Sequence, residues 1–180
     1  MENYIEQLVC EYYKTKGYLV FTNLWIPFDS ERVRNREESK KYVAQSWTDV
    51  DVIARNNEEI KLIQVKATIN SQTVAEKIVT YFDRVDNYLS KGLAPDGKSD
   101  ISWWTKGVKI SKVVIFEDKK SSKSYLKIMQ EKGIETIHFE DIFKLIYEYI
   151  EKKRGYKEQT AVMRLLNYLI KDEIVKYQKT

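Results

Sequence analysis

The sequence predicts an α/β fold, a mixed β-sheet core flanked by helices with an extra C-terminal helix, on two observations. Period-two runs of β-branched residues alternate with stretches of 3,4 apolar spacing. The predicted order is helix, three strands, helix, strand, helix, strand, helix, helix. Consecutive strands with helices before and after them build a sandwich of mixed pairing. At 180 residues the chain is long enough to bury a substantial core.

Residues 3–16 have helical spacing through Ile5, Leu8, Val9, Tyr12 and Tyr13, with Asn3 as N-cap and Gly17 as C-terminal stop. Glu6 lies at the edge of that stripe. It is either an ordinary first-turn glutamate favoured by the helix dipole or a carboxylate leaning over the neighbouring sheet. A strand is expected over Tyr18–Thr22, extended by Leu24–Phe28. Residues 29–46 are dense in charge and read as an insertion, a long loop or a loosely held helix. In it Arg32, Arg34, Arg36, Lys40 and Lys41 are candidates for contact with nucleic-acid phosphates. The plainer reading is a solvated loop, neutralised largely by Glu31, Glu37 and Glu38.

The most informative stretch is Trp47–Thr68. Two alternating runs, Asp49–Ile53 and Lys61–Lys66, flank a polar joint at Asn56 and Asn57, the pattern of a hairpin. Alternation puts Asp49 with Asp51 on one face and Val50 with Val52 on the other. It likewise separates Gln64 and Lys66 from Ile63 and Val65. Paired strands would gather two carboxylates, an amide oxygen and an ammonium. A divalent cation gives such a cluster a purpose, because Mg²⁺ takes carboxylates, waters and phosphate oxygens while a lysine offsets charge on an attacked phosphodiester. The alternative is the solvated face of an ordinary hairpin.

Beyond it, Ser71–Leu89 has helical spacing with Ser71 as N-cap, and residues 92–107 form a loop carrying Trp103 and Trp104. Those tryptophans either stack on bases or pack on the core or a partner subunit, and packing is the expectation. A strand at Lys112–Phe116, a helix at 122–132 and a strand at Ile134–Phe139 follow. A packing or hydrogen-bonding role is expected of His138. A helix from Glu140 to about Lys153 presents Ile142, Leu145, Ile146, Tyr149 and Ile150. The last helix, about 160–177, carries Val162, Leu165, Leu166, Leu169, Ile170 and Ile174, and either docks on the domain or forms a dimer seam. The expected division is a domain of residues 1–155 and a helical extension of 156–180.

Composition narrows the function classes. Net charge is +4, and its spread is uneven: residues 1–96 hold 13 basic and 15 acidic side chains, residues 97–180 hold 18 and 12. A basic second half suits a polyanionic partner. The sequence has no run of eighteen apolar residues and no basic region at its start, so a cytoplasmic, intracellular protein with no membrane span is expected. One cysteine, Cys10, and one histidine, His138, build neither an internal disulfide nor a standard zinc site, and Cys–His catalysis is disfavoured.

In its motif the chain resembles the PD-(D/E)XK nuclease superfamily, the restriction-endonuclease-like fold. The likeness is greatest to the archaeal Holliday-junction resolvase branch and to restriction-type relatives. Glu6 is followed eleven residues later by Gly17 and a strand. Asp51 with Val52, Ile53 and Ala54 is followed by Gln64 and Lys66 at offsets thirteen and fifteen. The likeness spans roughly residues 3–150. It implies Asp51 as central metal ligand, with the Gln64 amide oxygen and the Val65 backbone carbonyl beside it. It implies Glu6 completing the site, or holding a second metal through water, and Lys66 orienting the attacking water. The implied activity is Mg²⁺- or Mn²⁺-dependent hydrolysis of DNA phosphodiesters leaving a 5′-phosphate, on branched or structured DNA, by a homodimer. A duplex nickase or restriction-type nuclease, and a weak or inactive DNA-binding homodimer, are the alternatives. Gln64 departs from the family's usual Glu or Asp, though Gln-x-Lys versions occur in active members. The 29–46 insertion and the last helix also lie outside the pattern.

Overall fold

The alternation read along the middle of the chain becomes the hydrogen-bonded centre of the fold. The computed structural model describes residues 4–33, 41–90, 105–117, 123–152 and 160–171, and along 27–33 and 41–45 it describes the backbone. The elements are α1 (Tyr4–Thr15), β1 (Leu19–Val33), β2 (Lys41–Arg55), β3 (Glu59–Lys66) and α2 (Gln72–Ser90). They continue with β4 (Lys109–Phe116), α3 (Lys123–Glu131), β5 (Ile134–His138), α4 (Phe139–Lys152) and α5 (Ala161–Lys171), in the expected order. The strands form one mixed sheet, β1-β2-β3-β4-β5, antiparallel from β1 to β3 and parallel from β3 to β5.

Both faces of the sheet are covered. Ile60 and Leu62 of β3 meet Ile78, Phe82 and Val85 of α2 and Met129 of α3 on one side. Ile63 of β3 and Val113 and Ile115 of β4 meet Val9 of α1 and Ile142 and Ile146 of α4 on the other. Strands buried on both faces read as near-continuous apolar runs, as Lys112–Phe116 does.

Local chemistry sets the joints. α1 ends in a Schellman motif: Tyr18 N–H donates to Tyr13 O at 3.1 Å and Gly17 N–H to Lys14 O at 3.0 Å, with Gly17 at φ 84°. A Cβ at Gly17 meets nothing within 4 Å, so Gly17→Ala tests backbone strain alone. It is expected to cost about 1–2 kcal/mol in a urea melt. Between β2 and β3, Asn56 Oδ1 accepts from Glu58 N–H and Glu59 N–H, both at 2.8 Å. Ser71 caps α2 through Val74 N–H at 3.3 Å.

Three expectations are corrected. The charged 29–46 stretch is no loop or loose helix at its ends: β1 and β2 stay paired out to Val33↔Lys41, far beyond the last β3 rung at Val52↔Ile63. The result is a long two-stranded ribbon. A ribbon with no third strand has little to bury, so apolar periodicity does not announce it. In α4, Leu145 points outward at 39% exposure. In α5, Leu165 is 58% exposed, and Met163 and Ile170 are the residues that enter the core beside α1 and α4. The helix is short, and docking two neighbours fixes its roll about one residue away from the stripe that hydropathy favours. Ile174 lies outside the described residues, as do Asn3 and residues 153–159.

Alternation also changes side at Asp51. Val52 and Ala54 belong to the core with α1 and α4, whereas Val50 belongs to the core with α2. On the partner strand Val20 packs with the first core, and Leu24 and Ile26 pack with the second. Val50 and Val52 therefore do not share a face. The cause lies opposite: Asn23, at φ 55°, fills the rung between Thr22↔Val52 and Leu24↔Val50. A left-handed residue in a strand rotates the rest of the strand about its axis, and Asn tolerates that region better than most non-glycine residues.

Candidate functional site

The site is built where β2 and β3 part. Their rungs run from Arg55↔Ile60 to Val52↔Ile63, and the next would set Asp51 against Gln64. There the Asp51 side chain takes over from the backbone, its Oδ2 accepting Val65 N–H at 2.7 Å. A charge-assisted bond thus replaces a ladder bond, and it holds the carboxylate at the seam between the two sheet faces.

Gln64 is buried at 7% exposure, on the β3 face that carries Ile60 and Leu62 toward α2. Its Oε1 has no hydrogen-bond partner among the described residues. A buried amide oxygen left unsatisfied costs about 1–3 kcal/mol. The solvated-hairpin alternative is thereby overturned for β3, which sits mid-sheet with helices over both faces.

Asp51 is in electrostatic reach of Lys66, Glu6 and Asp49. Burial pushes its carboxyl up to about 6, against the Val65 N–H and the Lys66 ammonium, which pull it down. Glu6 and Asp49 push it further up. The first-turn acid of α1 and the last residue of β3 therefore both act on Asp51. Glu6, Asp49 and Lys66 are each partly buried. Lys66 O also accepts Glu117 N–H at 3.3 Å, which ties the end of β3 to β4.

A cavity of about 360 Å³ opens on the Glu6 side, between α1, Thr22 and Asn23 of β1, and Thr160–Val162 at the start of α5. Glu6 and Asn23 line it, while Asp51, Gln64 and Lys66 do not.

Of the donors that the resemblance implies, Asp51 and Glu6 are the charged ones, and they act on one another electrostatically. Among the described residues no three His, Cys, Asp or Glu side chains form a chelating group. A hard divalent cation would satisfy both the orphaned Gln64 amide oxygen and the Asp51 carboxylate, whose ionisation burial holds back.

The other sequence candidates fare differently. Arg32 and Lys41 fall on the ribbon ladder, at Arg32↔Tyr42 and Val33↔Lys41. Arg34, Arg36 and Lys40 lie outside the described residues, as do Trp103 and Trp104. His138 is edge-on to Phe116, and its Nδ1 accepts Glu140 N–H at 3.2 Å, the packing and bonding role expected of it. Two residues went unmarked by the sequence. Asn23 gives no signal in one sequence, and Tyr81 sits in the apolar stripe of α2 like any core residue.

No protein-family model matches the chain, and no curated protein does. Among solved structures it is similar to the "Crystal Structure of Protein of Unknown Function AF1548", at 15% identity and TM-score 0.47. That alignment covers 94% of this chain and 78% of the other. No residue assignment follows from it. Among the described residues no helix is long and apolar enough to cross a membrane.

Proposed function

We propose that the chain is a divalent-metal-dependent DNA endonuclease that hydrolyses phosphodiesters in branched or structured DNA, acting as a homodimer. The observation that carries this reading is the unpartnered, buried Gln64 Oε1 one rung beyond Val52↔Ile63, where Asp51 sits on the facing strand with Lys66 and Glu6 acting on it. Asp51, the Gln64 amide oxygen, the Val65 carbonyl and Glu6 are the residues that would hold Mg²⁺ or Mn²⁺. When bound, the cation would supply Lewis-acid polarisation of the phosphate.

The chain's own residues do the rest. Asp51, anchored by Val65 N–H, presents its carboxylate in one fixed orientation. Lys66, at the end of β3, sets a positive charge where negative charge grows on the attacked phosphate and helps align the water. Gln64 supplies an oxygen without a second buried anion, a role suited to a position where Asp51 already ionises reluctantly. A two-fold dimer presents two equivalent sites, which matches a two-fold symmetric junction.

The test is cleavage of labelled four-way junction and of linear duplex of the same sequence in Mg²⁺ and in Mn²⁺. Junction cleavage is expected to exceed duplex cleavage. Lys66→Ala and Asp51→Ala are each expected to lower the rate by at least about 10²-fold. Retained activity in both variants overturns the assignment. The amide at Gln64 favours a second reading, a DNA-binding homodimer without catalysis. That protein would bind junctions with a steep salt dependence and cut nothing.

A further inference from the structure

A second buried polar atom without a partner among the described residues lies on α2, the helix over the sheet face that holds Gln64. Tyr81 is 7% exposed, and its hydroxyl, like Gln64 Oε1, has no hydrogen-bond partner among the described residues. α2 covers the β3 face that holds Leu62 and Gln64. Tyr81 packs in one cluster with Leu62, Val50 and Ile53, the residues that flank Gln64 and Asp51 in their strands. Its ring stands edge-on to Phe82 at 4.9 Å, so the packing of α2 sets where the hydroxyl goes. Burial first, then the charges of Asp51 and Asp49, push its phenol well above the usual tyrosine range.

Two orphaned buried atoms under one helix are better explained together than apart. A buried hydroxyl and amide oxygen are each costly alone, and a buried water joins such groups when it finds two to four polar partners. A carbonyl-type oxygen has two lone pairs, so Gln64 Oε1 can accept from a water and still face a cation. Resting on the metal-site reading above, we propose that Tyr81 is a positioning residue for Gln64: its O–H donates to a buried water that in turn donates to Gln64 Oε1. This fixes the amide with its oxygen, rather than its NH₂, toward Asp51.

Tyr81→Phe keeps the ring and removes only the hydroxyl. The measurement is Mn²⁺ affinity, by calorimetric or spin-resonance titration, with a thermal melt alongside. Groups that orient metal ligands from outside are worth about 10–100-fold in affinity, so Tyr81→Phe is expected to bind Mn²⁺ weaker by that factor while melting normally. Tyr88→Phe, two turns along the same helix, is expected to leave the affinity unchanged. If the wild type binds Mn²⁺ and Tyr81→Phe binds it equally well, Tyr81 is packing only and the inference is overturned while the metal site stands. If wild type binds no Mn²⁺, the metal-site reading and the inference fall together.

Discussion

Replacing Asp51 by Asn is expected to make the metal-free protein more stable at pH 7, by about 1–2 kcal/mol, while removing its Mn²⁺ binding. The folded protein holds the Asp51 proton more tightly than the unfolded chain does, with the carboxyl pushed up to about 6 from a reference of 3.8. Stability from this group is thus greatest in acid. It falls as pH rises from about 4 through 6 and then levels off, because the buried carboxylate is forced to ionise. An amide has no such slope, and its oxygen still accepts the Val65 N–H. Melts of wild type and variant in chelator at pH 4.5, 6 and 7.5 would show the gap opening as pH rises. Adding Mn²⁺ at pH 7.5 should raise the wild type's melting temperature and leave the variant's where it was. A variant less stable than wild type at pH 7.5 in chelator would refute the account of Asp51 as a strained, functional acid.

Phe82→Ala is expected to cost about 3–5 kcal/mol, a large part of the stability of a domain this size. Phe82 is fully buried, and the core it occupies joins α2 to β2, β3 and β4. Truncation leaves a cavity between helix and sheet that α2, bound along its length, cannot close by moving. A urea midpoint lowered with an unchanged slope is the outcome that fits, whereas a loss under about 1 kcal/mol would mean that α2 packs less tightly than described. Phe82→Leu keeps most of the volume and should lose far less.

The elements were legible where packing follows hydropathy. Ile142, Ile146 and Ile150 announced α4, and the continuous run Lys112–Phe116 announced a doubly covered strand. The hairpin turn was legible in Asn56, whose side chain makes the turn itself. The ribbon was not, because its residues beyond the third strand lack the apolar face that periodicity detects. The face change at Asp51 was hidden too, since it depends on one backbone angle at Asn23, across the sheet. Within the candidate site, alternation gathered Asp51, Gln64 and Lys66, and the family resemblance gave them their roles. Both missed that Gln64 faces a helix rather than water, and so missed Tyr81, whose place depends on how α2 lies over β3.

The amide at position 64 has one further consequence, in the charge balance of the loaded pocket. On the metal-site reading, and leaving Asp49 aside, a doubly charged ion held by Asp51 and Glu6 would make a neutral ligand cluster, and the Lys66 ammonium would leave one positive charge over. A single phosphodiester brings one negative charge and cancels it. With a third acid in place of Gln64, the pocket would be neutral before the backbone arrived and would repel it once bound. The neutral side chain thus gives up some grip on the ion and leaves the attraction for the polyanion.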